Sequence, residues 1–127
     1  MNWIDEVNFN EEGLVPVIVQ DVKTSRVLML GWANREALES TVATGRGVYF
    51  SRSRGQVWCK GESSGNHQVV VGMQLATDGQ SVIYRVDPQG GVASHPGHAS
   101  CYWRELVPGG WRECEPVVRA PEDMYEK

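Results

Sequence analysis

The chain has 127 residues, 41% of them apolar, and a formal net charge of −4. That length fits one domain whose core needs neither disulfides nor metal as staples, and the acidic balance excludes a general nucleic-acid or membrane surface, which would need a broad cationic field. No apolar run approaches a membrane span and the start Met-Asn-Trp-Ile-Asp-Glu lacks the regions of a signal peptide, so a cytoplasmic protein is expected. The cysteines Cys59, Cys101 and Cys114 are odd in number and irregularly spaced, which reads as free thiols in a reducing compartment.

In chain order, Leu14 to Trp32 holds two β-branched-rich runs around the polar break Lys23-Thr24-Ser25 and predicts a hairpin. Asn34 caps a predicted helix through Arg35 to Ala43, with Ala37, Leu38, Thr41 and Val42 on one face and Gly45 as its stop. Strands are expected at Gly47–Ser51, Gln56–Lys60, Gln68–Leu75 and Ser81–Val86, the last two joined by a turn at Asp78-Gly79. A further strand is predicted from Tyr102 to Leu106. Pro108, Gly109, Gly110, Pro116 and Pro121 make Val107 to Lys127 read as an extended arm anchored by Trp111. The fold class is therefore α+β, mainly antiparallel twisted β-sheet with one or two short helices.

The stretch Tyr49 to Gln68 mixes strand residues with cations, hydroxyls and glycines in a way that a packed core does not require. Arg52 and Arg54 alternate with Ser51 and Ser53, so an extended chain would send both guanidinium groups to one face. Arginine forks suit phosphate, and a Gly-Glu-Ser-Ser-Gly turn can aim several backbone amides at the same anion. The competing reading is a solvated edge strand followed by an ordinary loop. The set expected to bind a small phosphorylated or heterocyclic ligand is Arg52, Ser53, Arg54, Trp58, Lys60, Gly61, Ser63, Ser64, Gly65 and Asn66.

Further on, His95, His98 and Cys101 stand three residues apart in a Gly/Pro-broken segment. Two imidazoles and a thiolate are competent zinc ligands, but such histidines also simply hydrogen-bond the backbone. Trp32 and Trp58 fit a core or an interface. Trp103, beside this segment, either packs or stacks on a heterocyclic base.

These residues carry a family resemblance. Val-Leu-Met-Leu-Gly-Trp-Ala-Asn-Arg-Glu-Ala-Leu, Ser-Arg-Ser-Arg, Trp-Cys-Lys-Gly-Glu-Ser-Ser-Gly-Asn and His-Pro-Gly-His-Ala-Ser-Cys-Tyr, in this order, resemble phosphoribosyl-AMP cyclohydrolase of histidine biosynthesis. The resemblance runs from about residue 14 to 104 of a single 1–127 domain, with 105–127 as the extended C-terminal arm. It implies an intertwined homodimer that opens the purine ring of a phosphoribosylated AMP. It also implies zinc on three cysteines drawn from both subunits, one in an Asp-Cys-Asp-x-Asp segment and two in a Cys-His-x-Gly-His-x-Ser-Cys segment, with magnesium on the aspartates of the first.

The chain departs from that pattern at the ligands. Ala76-Thr77-Asp78-Gly79-Gln80 stands where the first segment would be, and Ser94 replaces the leading cysteine of the second. Asp78 is left as a weak magnesium ligand and Cys101 as the one family thiolate; a remodelled zinc site would have to use His95, His98 and Cys101. No cofactor is the first expectation. The catalytic set is then Glu62, His95, His98 and Cys101, with acid–base chemistry ranked above a Cys101 nucleophile. The expected function is a repurposed enzyme acting on a phosphorylated or nucleoside-like heterocycle, in specialised metabolism. Its alternatives are a catalytically inactive nucleotide-binding homodimer and a genuine cyclohydrolase with a remodelled metal site.

Overall fold

The computed structural model describes residues 2–62, 65–93 and 97–118. A 3-10 turn over Trp3–Glu6 precedes β1 (Val15–Asp21) and β2 (Val27–Ala33), which pair antiparallel as the hairpin pattern predicts. Val15, Val17 and Val19 are fully buried, so the alternation of β1 points its branched residues inward. Helix α1 (Arg35–Thr44) starts where expected: the Asn34 side chain accepts the Ala37 amide at 2.8 Å, and Gly45 ends it in the left-handed region at φ 72°. Ala37, Leu38 and Thr41 are buried, but Val42, expected on the same face, is 56% exposed. It lies about 100° round the helix from Thr41, past the edge of the stripe that meets the sheet.

The chain continues through β3 (Val48–Ser51), β4 (Gln56–Cys59), β5 (Gln68–Leu75) and β6 (Val82–Pro88). The main sheet has the order β2-β1-β6-β5, and β3 and β4 form a separate two-stranded sheet. Most ladders are antiparallel, but β1 and β6 run parallel from Val17↔Val82 to Asp21↔Val86. A parallel pair needs a long crossover, here supplied by everything from β2 to β5. Pro16 lies just before the β6 pairing begins, so its missing N–H breaks no bond on that side.

The core lies between one face of this sheet and the layer of α1 and β3. Its centre is aromatic: the Tyr49 ring is 5.2 Å from Trp58 and 5.5 Å from Tyr84. The Tyr49 hydroxyl donates to Gln68 and the Tyr84 hydroxyl to the Val48 carbonyl. Trp58 is thus a half-buried packing residue.

The first part of the predicted arm forms a further hairpin instead, β7 (Arg104–Val107) with β8 (Gly110–Glu113), while residues 119–127 lie outside those described. Trp111 does not anchor it, being 67% exposed. Pro108-Gly109, read as arm punctuation, is the turn itself, with Gly109 at φ 101°. All three cysteines are free. Among the described residues no helix is long and apolar enough to cross a membrane.

Candidate active site around Ala93

Three loops meet at the base of the β3–β4 hairpin. The Lys60 amide donates to the Gly47 carbonyl at 2.9 Å and the Gly47 amide to Gln68 at 3.0 Å, which closes the loop after β4 onto the start of β5. Within that loop the Gly65 amide donates to Gly61 at 3.0 Å, and Gly61 and Gly65 both have positive φ. Gln89 then donates to His67 at 2.7 Å, tying in the loop that follows β6. Gly90 presses so closely on the Asn66 side chain that any Cβ there would collide with it.

Ala93 is the meeting point. Its carbonyl accepts the Lys60 ammonium at 2.9 Å and lies 3.6 Å from the Cys101 sulfur, while its amide donates to His98 at 3.0 Å. Cys101 is held from behind, its amide donating to Leu28 at 2.7 Å and the neighbouring Ser100 hydroxyl to Val27 at 2.8 Å. Lys60 and Cys101, far apart in sequence, therefore share one acceptor. Burial pushes the Lys60 ammonium below its usual value, with the thiol opposing; burial pushes the Cys101 thiol up, with Lys60 opposing. Cys101 keeps open surface, yet its sulfur is desolvated enough for that rise. Cys59 is raised by burial and then by the Glu62 carboxylate, with Arg46 opposing, which places Glu62 beside the same loop base.

His98, proposed from the sequence for proton transfer or zinc, is 2% exposed and closely packed. Its ring stacks on Trp103 at 4.2 Å between centroids and an angle of 8°. Its Nδ1 is 3.1 Å from the Pro116 carbonyl and its Nε2 is 4.0 Å from Glu113, so it fastens the C-terminal segment to the loop that carries Cys101. Arg26 reinforces this fastening, donating to Glu115 and, at 2.8 Å, to the Tyr102 carbonyl. Trp103 packs against His98 rather than presenting that face to a base. His98→Ala should lower stability by about 2–3 kcal/mol and expose the 104–118 segment to limited proteolysis. An unchanged melting temperature with lost turnover would instead mark a proton-transfer group.

Arg52 and Arg54 do not sit on an extended strand. They occupy the tight turn of the β3–β4 hairpin, where Gly55 donates to the Ser51 carbonyl at 2.8 Å and Arg54 to the Ser51 hydroxyl at 3.2 Å. Arg52 lies over the Trp32 ring, 4.4 Å from its centroid, and Ser53 is 3.4 Å from the Ser51 hydroxyl. Four ladder pairs separate this turn from Lys60, on the order of 10 Å. The expected grip is thus two groups: Arg52, Ser53 and Arg54 at the tip, and Lys60, Gly61, Gly65 and Asn66 at the base.

Asp78 is elsewhere in this chain. It occupies the β5–β6 turn, on the order of 20 Å from the Gln68 end of the ladder, and its carboxylate accepts the Gln80 amide at 2.9 Å. Ser63, Ser64, Ser94 and His95 fall outside the described residues. The sequence reading missed His67, whose Nδ1 is buried without a hydrogen-bond partner among the described residues, and Arg26. His67 directly follows the Trp58–Asn66 motif; nothing local signalled Arg26.

A family model for phosphoribosyl-AMP cyclohydrolase matches residues 29–103, which contain the whole loop base and Cys101. The chain belongs to the phosphoribosyl-AMP cyclohydrolase family. It is 48% identical over 125 residues to the phosphoribosyl-AMP cyclohydrolase of Stutzerimonas stutzeri, covering 98% of this chain and 95% of the relative. The phosphoribosyl-AMP cyclohydrolase of Pseudomonas fluorescens is 47% identical and that of Nitrosococcus oceani 44%, each over 98% of this chain and at least 93% of the relative.

The zinc implied by the family resemblance does not fit the residues present. Thr77 and Ser94 offer neutral hydroxyls in place of thiolates. Cys101 already faces a carbonyl beside an ammonium, and the His98 ring is engaged by Trp103 and Pro116. No group of three or more His, Cys, Asp or Glu suited to a metal occurs among the described residues.

Proposed function

We propose that this cyclohydrolase-family protein adds water to the six-membered ring of phosphoribosyl-AMP or a close purine nucleotide. The observation that carries this reading is the 48% identity, over 98% of the chain, to a relative named for that reaction. Water oxygen bonds to C6, the bond from C6 to the alkylated ring nitrogen breaks, and that nitrogen takes up a proton. Lys60 and the turn of Gly61, Ser63, Ser64, Gly65 and Asn66 hold phosphate, with Arg52, Ser53 and Arg54 as a second anionic contact and Trp58 behind the loop. Glu62 takes the proton from water and His95 returns one to the departing nitrogen, while His98 and Cys101 keep the loop in place.

The protein acts as a cytoplasmic homodimer, for which the exposed Val69, Val71 and Leu75 of β5 supply apolar surface; neither nucleic acid nor membrane is a partner. The replaced metal ligands favour a second reading, in which the same grip serves acid–base chemistry on a different phosphorylated heterocycle in specialised metabolism.

Purified protein given phosphoribosyl-AMP separates the two. Ring opening is expected, with Glu62→Gln lowering kcat by about 100-fold or more and leaving KM near wild type. Tight binding measured by calorimetry, with no ring opening by the wild-type protein, would reject the first reading and favour the second or an inactive nucleotide-binding dimer.

A further inference from the structure

We infer that this chain has given up the zinc implied for its family, and that Cys101 serves as a hydrogen-bonding thiol against Ala93 and Lys60 rather than as a metal ligand. Several observations converge. Zinc bound by proteins keeps at least three good ligands, and thiolate or imidazole is far better than a neutral hydroxyl. Here two of the three ligand positions implied by the resemblance carry Thr77 and Ser94.

Among the described residues, the donors nearest to hand are engaged elsewhere. The imidazole of His98 is sealed at 2% exposure between Trp103 and Pro116, and ligation would break both contacts. The Cys59 sulfur is 3.9 Å from the Lys60 carbonyl, and Cys59 packs against the hydrophobic core. The Asp78 carboxylate accepts a backbone amide within its own turn. Lys60 meanwhile sets a positive charge on the carbonyl that Cys101 faces, where a dication would meet repulsion. Of the candidate donors described, Thr77 is thus chemically poor, and His98, Cys59 and Asp78 are already engaged.

The inference rests on family membership and the donor set, and metal content tests it whether or not ring opening is observed. Wild-type protein produced in zinc-supplemented medium and dialysed should carry less than about one tenth of a zinc per chain, and cobalt(II) titration should show no thiolate charge-transfer band. Thr77→Cys combined with Ser94→Cys should raise zinc toward about one per chain and produce that band, and adding Cys101→Ala should remove both. Stoichiometric zinc in the wild-type protein, lost on Cys101→Ala, would overturn the inference. So would a double variant that melts like wild type and takes up no zinc. If the double variant does not fold, zinc content and cobalt titration of the wild-type protein decide alone. Zinc-free protein that opens no ring would reject the proposed reaction and leave this inference standing.

Discussion

Gly61→Ala should destabilise the protein by about 3 kcal/mol or more and abolish binding of the phosphorylated ligand. Gly61 has φ +91°, and a Cβ built on it would stand 2.5 Å from the His67 nitrogen, 2.6 Å from the Asn66 carbonyl carbon and 2.8 Å from the His67 Cα. All three atoms are backbone, so no rotamer change relieves the clash. The loop that holds Lys60 against Ala93 has to open. Gly65 is the internal control: its φ is +79°, but a Cβ there would meet nothing within 4 Å among the described residues. Gly65→Ala should therefore cost only the left-handed strain of about 1 kcal/mol. Urea unfolding and calorimetry with the nucleotide measure both effects, and a Gly61→Ala protein as stable as Gly65→Ala would show that the loop is not packed as described.

The second large effect is alkaline unfolding. Burial pushes the Tyr84 phenol up to about 12, against an opposing hydrogen bond with Thr41, and burial also raises Tyr49 well above its usual value. Both phenols keep their protons in the folded state after the unfolded chain, ionising near 10, has lost them. The folded state then binds more protons, so stability falls as pH rises from about 10 toward 12. For Tyr84 that loss amounts to about 2.3 kcal/mol by pH 12, and Tyr49 adds to it.

The thiols of Cys59 and Cys101, raised from 9.0, act in the same direction. Lys60, lowered from 10.5, opposes them by gaining stability as pH climbs, but that contribution is complete by about 10.5. Above that point the phenols dominate. Tyr84→Phe should lose about 1 kcal/mol near neutrality, from its contacts with Thr41 at 3.2 Å and Val48 at 3.1 Å, yet lose less stability than wild type between about pH 10 and 12. Urea melts across that range give the two slopes, and parallel slopes would refute the assignment.

Local signals in the sequence read well where one residue type has one physical use. Asn34 and Gly45 bracket α1, and Asp78-Gly79 sits in the β5–β6 turn with Gly79 at φ +73°. The Ser-Arg-Ser-Arg and Trp-Cys-Lys-Gly-Glu-Ser-Ser-Gly-Asn motifs pointed to the family before any geometry. Non-local pairing was not legible: nothing in Val15–Asp21 announces a parallel partner at Val82–Pro88. Alternating Ser and Arg at 51–54 looked extended because periodicity cannot show that Gly55 folds back on Ser51. Lys60 and Cys101 were each singled out, but their meeting runs through the Ala93 backbone carbonyl, for which no side chain gives notice. His98 was ambiguous for the opposite reason, since an imidazole suits proton transfer, metal and packing alike.

The parallel union of β1 with β6 also governs when this protein can take shape. During synthesis the β1–β2 hairpin emerges early, but the strand that covers its other side arrives more than sixty residues later. Until then a ribosome-bound chain shows a bare, valine-rich border to its neighbours on the same message. That border, with Val17 and Val19 still uncovered, is open to mispairing between nascent chains until Val82–Pro88 has emerged.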